Sequence, residues 1–168
     1  MTLGEMCLFV MPPDPRRKRP AVSTATAPTR TARQVRERPP APVLLDTSVL
    51  IWWMCDPARL SRLARATLTS PPNGLLISAV SFWEIGAKVR RGRLDLGASF
   101  DDFVGTVQSM DSVSILAVDL PTWLDVIDLD WDHGDPADRI IVATAQRHRA
   151  TLVSSNRAIR AFYSEALW

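Results

Sequence analysis

From residue 43 onward, apolar positions fall into two alternating textures. Short, nearly unbroken apolar runs occur at Val43-Leu-Leu-Asp-Thr47, Leu75-Leu-Ile-Ser-Ala79, Val113-Ser-Ile-Leu-Ala-Val118 and Thr151-Leu-Val-Ser154. Such runs, rich in Val, Leu and Ile, predict strands buried on both faces, as parallel strands are. Between them, apolar residues recur at helical spacing, which predicts helices over 48–54, 60–68, 80–91, 100–110, 121–129, 136–149 and 158–162. Ser70-Pro-Pro-Asn-Gly74 and Gly92 supply the stops. The closing Ala166-Leu-Trp168 receives no element. Strand and helix alternate without an internal repeat. The prediction is therefore an α/β domain with a mainly parallel sheet and helices on both faces. Ligands of such sheets bind beyond the carboxyl ends of the strands.

Residues 1–42 have a different texture. They hold eight of the thirteen prolines and the basic run Arg16-Arg-Lys-Arg19. A segment of this composition cannot bury enough apolar surface to offset its ordering entropy, so a disordered extension is expected there, with the domain over 43–168. Its function stays open between a basic arm on RNA phosphates and an inert extension. Charge divides at the same boundary. The extension carries eight Lys/Arg against three acids, and residues 43–168 carry twelve against fifteen, for a total of +2. The chain's pI of 8.8 thus describes the extension and says nothing about nucleic-acid binding by the domain. No apolar run reaches the ~18 residues of a membrane helix. Cys7 and Cys55 form no metal or disulfide spacing, as expected of reduced thiols in a cytoplasmic protein.

Candidate chemistry lies in the acids. Asp46 ends the first run, Glu84 sits in the helix after the second, and Asp138 opens the helix before the fourth. Each also has a capping explanation. Asp46 precedes a helix start, Ser81-Phe-Trp-Glu84 matches a capping box, and Asp135-Pro-Ala-Asp138 reads as N-cap, N1 proline and first-turn acid. Taken together, carboxylates gathered at one rim of a parallel sheet repel unless a cation neutralises them, and hard oxygen donors suit Mg²⁺. With two histidines in the chain, zinc is disfavoured. His133 lies two residues before Asp135 and so near the site, whereas His148 reads as a solvated helix end. There is no Gly-x-Ser-x-Gly elbow, and no Walker or dinucleotide glycine pattern.

Four blocks in order carry a family resemblance. Val43-Leu-Leu-Asp-Thr-Ser-Val-Leu-Ile-Trp-Trp53 resembles the opening strand and helix of PIN domains. The stretch from Ile77 through Ser-Phe-Trp-Glu84 to Leu96 is similar to their second block, His133-Gly-Asp-Pro-Ala-Asp-Arg-Ile-Ile-Val-Ala-Thr-Ala145 to their third, and Thr151-Leu-Val-Ser-Ser-Asn156 to their last strand. Within that family the chain resembles VapC-type toxins of bacterial toxin–antitoxin pairs. The resemblance implies a three-layer α/β fold and a metal-dependent endoribonuclease. It implies Asp46, Glu84 and Asp138 as ligands of Mg²⁺ or Mn²⁺, with Asp135 close by and Thr47 and Ser48 orienting the carboxylate or the phosphate. It also implies cleavage leaving a 5′-phosphate, a cognate antitoxin covering the acidic groove, and a homodimer. Asn156 stands where many members have a fourth acid, offering an amide oxygen without the charge.

Two rivals follow. One is a PIN domain that binds RNA or protein without cutting, motivated by Asn156. The other is an aspartate phosphotransfer domain, which needs an acid pair at Asp46 or a lysine beyond a late strand, and neither is present. Trp52, Trp53 and Trp83 lie in apolar helices and are expected in the core or an interface rather than stacked on bases. Arg139, directly after an acid, is the foremost candidate for a phosphate contact, ahead of Arg90, Arg91 and Arg93.

Overall fold

The computed structural model describes residues 40–71 and 74–168. The expected extension therefore lies, up to residue 39, outside the described residues. The elements run β1 (Val43–Leu45), α1 (Thr47–Cys55), a single 3-10 turn (Pro57–Arg59), α2 (Arg62–Thr69), β2 (Leu75–Ser78) and α3 (Ala79–Arg90). They continue with α4 (Phe100–Gln108), β3 (Val113–Leu116), α5 (Leu120–Asp128), α6 (Pro136–His148), β4 (Thr151–Val153), α7 (Arg157–Phe162) and β5 (Ala166–Leu167). All strand pairs are parallel, in the order β3-β2-β1-β4-β5. The α/β expectation holds, with one strand more than the hydrophobic runs predicted.

Short strands carry the layering. Val43 and Leu45 pack with Leu75, Ile77 and Val153 beneath residues of α1 to α4, including Leu50, Ile85 and Phe103. Leu44 and Leu152 face the other way, into a second core with Ile140, Ile141 and Val142 of α6 and Ile159 of α7. Successive strand residues thus feed opposite cores, as the two-residue period of a strand requires. The chain enters β2 through Gly74 at φ +80°, where a Cβ would stand 3.2 Å from the Ser112 carbonyl oxygen. This left-handed turn is open to glycine and strained for other residues.

The sequence reading of 81–84 as a capping box is overturned. β2 passes directly into α3, whose N-cap is Ser78, so Ser81 lies inside the first turn and is fully buried. Asp135 does cap α6, accepting from the Ala137 amide at 2.9 Å with Pro136 behind it.

The strand order places a switch point between β1 and β4. From β1 the chain goes to β2 and β3 on one side, and it returns to β4 on the other. Open parallel sheets form their binding crevice at such a point. Asp46 emerges from β1 there, its amide donating to the Val153 carbonyl at 3.1 Å. Among the described residues no helix is long and apolar enough to cross a membrane.

Candidate metal and phosphate site

Asp46 occupies the N-cap position of α1 but does not cap it. Its Oδ2 instead accepts from Ser154 Oγ at 2.7 Å and Ser48 Oγ at 3.1 Å. Ser154 follows β4 and is wholly buried, and its oxygen in turn accepts from the Asn156 amide at 3.1 Å. Burial pushes the Asp46 carboxyl above the usual carboxylate range. The Ser154 hydrogen bond pulls it back, and the charge of Asp138 and then of Glu84 pushes it up again. The three acids are therefore close enough to repel.

Asp138 stands in the first turn of α6. Its Oδ2 accepts from His133 Nε2 at 2.7 Å and Asn156 Nδ2 at 2.8 Å. Burial raises its pKa, the His133 hydrogen bond lowers it, and the charges of Asp135 and Glu84 raise it. Glu84, on α3, holds Lys88 one helical turn on, with Oε1 2.5 Å from Nζ.

Among the described residues, each of the three carboxylates thus has one oxygen engaged by protein donors and a second that accepts no hydrogen bond. This donor set of hard, mutually repelling oxygens fits Mg²⁺ or Mn²⁺. Ser78, which ends β2 one strand away from Asp46, carries the one buried side-chain oxygen without a partner among the described residues. As the side chains stand, no three His, Cys, Asp or Glu among the described residues already converge on a cation position. Mutual repulsion of the carboxylates is consistent with the open arrangement.

Several sequence assignments need revision. Thr47 does not orient Asp46, because its hydroxyl donates to Ser81 Oγ at 3.0 Å and ties α1 to α3. Ser48 does reach the carboxylate. Arg139 is not a free phosphate ligand. Its guanidinium donates to the main-chain carbonyls of Trp131, Val126 (2.9 Å) and Leu129 (3.0 Å). Asn156 caps α7, its Oδ1 accepting from the Ala158 amide at 2.9 Å, and its NH₂ group donates to Asp138. Sequence reasoning missed Ser154 and Lys88. Lys88 had a signal, the i,i+4 spacing from Glu84. Ser154 had none until β4 was known to lie beside β1.

The tryptophans divide. Trp52 and Trp53 pack against the first core, with Trp52 5.4 Å from Trp168 and under the Arg59 guanidinium at 4.4 Å. Trp83 is 68 % exposed.

The family model described as PIN domain matches residues 43–164. The chain belongs to the PIN-domain family. Ribonuclease VapC22 of Mycobacterium tuberculosis is 34 % identical to this PIN domain over 125 residues, covering 70 % of this chain and 89 % of that one. Two solved structures share the fold. A toxin–antitoxin complex from Klebsiella pneumoniae has TM-score 0.53 at 21 % identity, covering 75 % of this chain and 96 % of its own. VapBC2 from Rickettsia felis, bound to a promoter DNA fragment, has TM-score 0.54 at 16 % identity, covering 71 % and 92 %.

Proposed function

We propose that this PIN domain is a cytoplasmic, Mg²⁺- or Mn²⁺-dependent endoribonuclease, the toxin half of a toxin–antitoxin pair. The observation that carries the reading is that Asp46, Glu84 and Asp138 lie close enough to repel, each with one oxygen held by protein donors and the other accepting none among the described residues. These three residues would hold the cation. Bound there, it would supply a Lewis acid for a phosphate oxygen and acidify the attacking water. The protein's own contribution is to hold the acids in place with donors that oppose the upward push of burial. Ser154 and Ser48 hold Asp46, and His133 and Asn156 hold Asp138. Asp135, first-turn neighbour of Asp138, adds negative charge that favours cation binding. The domain is acidic overall, so RNA contacts are local or assisted by the basic residues before 43.

A cognate antitoxin would cover the acidic groove with a basic side chain, as Lys88 already covers part of Glu84. The chain would also pair with itself. Leu120, Trp123, Leu124 and Ile127 form one exposed stripe on α5 at helical spacing, extended by Trp83. A 460 Å³ apolar cavity opens beside it, lined by Val80, Trp83, Trp123 and Ile140 among others. Leu124→Glu with Ile127→Glu is expected to give monomers by analytical ultracentrifugation, weakening association roughly 30-fold or more per anchor. A dimer of unchanged affinity would move the interface off this stripe.

The decisive experiment is purified full chain with mixed cellular RNA, with and without Mg²⁺, Mn²⁺ or chelator, beside Asp138→Asn. Discrete products requiring both the metal and Asp138 are expected. Intact RNA at high protein concentration would favour a PIN domain that binds without cutting.

A further inference from the structure

Asp138 is held from one side only. Among the described residues both its hydrogen bonds, from His133 and from Asn156, fall on Oδ2, and Oδ1 accepts none. The two donors arrive from opposite directions in the chain, five residues before Asp138 and eighteen after it. Neither is loose. The His133 ring lies flat on Trp131, with centroids 4.1 Å apart and planes at 6°, and Trp131 stacks in turn on Phe162 at 4.8 Å and 15°. Phe162 closes α7, the helix that Asn156 caps. The His133 side chain is 21 % exposed and Asp138 16 %. The loop bearing Trp131 and His133 is tied down by Arg139, which holds the carbonyls of Leu129 and Trp131. An acid at 156 would set a second negative charge 2.8 Å from Oδ2, where the amide donates a hydrogen bond instead.

We propose that His133 and Asn156 are a paired positioning clamp on Oδ2 of Asp138, set by the Phe162–Trp131–His133 stack, which leaves Oδ1 as the oxygen that would be offered to a cation. The inference rests on the metal-site reading above and deepens it. The amide at 156 is then a second arm of the clamp, whose work is to aim Asp138. Orientation of a ligating carboxylate by outer hydrogen bonds is a recurrent determinant of metal affinity.

The test is Mn²⁺ binding by the full chain, measured by calorimetry without RNA, with melting in chelator as the control for folding. His133→Ala removes one arm. Asn156→Ser removes the other while keeping a good helix cap. Each is expected to weaken Mn²⁺ about tenfold, and His133→Gln, which keeps a donor, to stay within roughly threefold of the parent. Melting in chelator should hold within a few degrees. If His133→Ala does not fold, Asn156→Ser and His133→Gln carry the test. Asp138→Asn separates the two levels. Should it abolish tight Mn²⁺ binding while the arm variants bind like the parent, the clamp is wrong and the metal site stands. Should Asp138→Asn leave Mn²⁺ binding unchanged, the site reading fails and the clamp falls with it.

Discussion

Asp46→Asn is expected to abolish RNA cleavage, by about a thousandfold or more, and at the same time to make the metal-free protein more stable. The two effects share one cause. Asp46 is 5 % exposed, and burial holds its carboxyl above the ordinary value, with Asp138 and Glu84 adding repulsion. A carboxyl raised in the folded state favours folding most when protonated. Its contribution is complete below the unfolded value near 3.8 and is lost as pH rises through the folded value. Asp138 is raised in the same direction. Metal-free protein should therefore lose stability as pH climbs from about 4 toward neutrality, to the extent these two groups govern it. The amide that replaces the carboxylate can still accept from Ser154 and Ser48 through its carbonyl oxygen while carrying no charge. Thermal melts in chelator across that range should show a higher midpoint for the variant at neutral pH and a flatter pH dependence. Saturating Mn²⁺ should reverse the ranking, because a ligand that binds only the folded parent stabilises it by mass action. A variant that melts below the parent in chelator at pH 7 would contradict the argument.

Arg139→Ala is the second large effect, and here stability and activity fall together. The guanidinium gathers three main-chain carbonyls, from Val126 at the end of α5 and from Leu129 and Trp131 beyond it. Hydrogen bonds from a charged donor are each worth about 1.5–3 kcal/mol, and removing the donor leaves three partly buried acceptors without a partner. A net loss of about 3 kcal/mol is expected, or roughly 6–12 °C in melting temperature for a chain of this size. Arg139→Lys should recover little. An ammonium on a flexible stem cannot reproduce a planar fork aimed at three acceptors. Urea unfolding in chelator measures both variants. Full stability in the lysine variant would show that charge near this loop, rather than the fork, is what matters.

Much of the architecture was legible because buried parallel strands write themselves as apolar runs. Val43-Leu-Leu, Leu75-Leu-Ile and Thr151-Leu-Val all became strands. Ala166–Leu167 escaped because two residues carry no period. They form a strand only by docking beside Leu152 and Val153. The box at 81–84 misled because strand β2 runs into α3 with no intervening turn residue, so the helix begins before the serine that seemed to cap it. At the site, Asp46, Glu84 and Asp138 were legible as candidates from their places beside the apolar runs, with a metal role implied by the family resemblance. What held them was not, since Ser154 meets Asp46 across 108 residues and only through strand order. Arg139 shows the limit of adjacency. On a helix, neighbours in sequence point about 100° apart, so the residue after a rim acid faces elsewhere.

The three-residue strands β1 and β4 have a consequence of parity. Leu45 belongs to one core and Leu44 to the other, and Asp46 follows with its amide on Val153. A slip of one residue in this pairing would turn each side chain to the opposite face, leaving both cores mismatched. The same slip would carry Asp46 away from Ser154. No misaligned form can thus keep its cores and lose only its chemistry, or keep its chemistry on a faulty interior. Errors of folding are silenced where they arise, because one register sets both the interior and the position of Asp46.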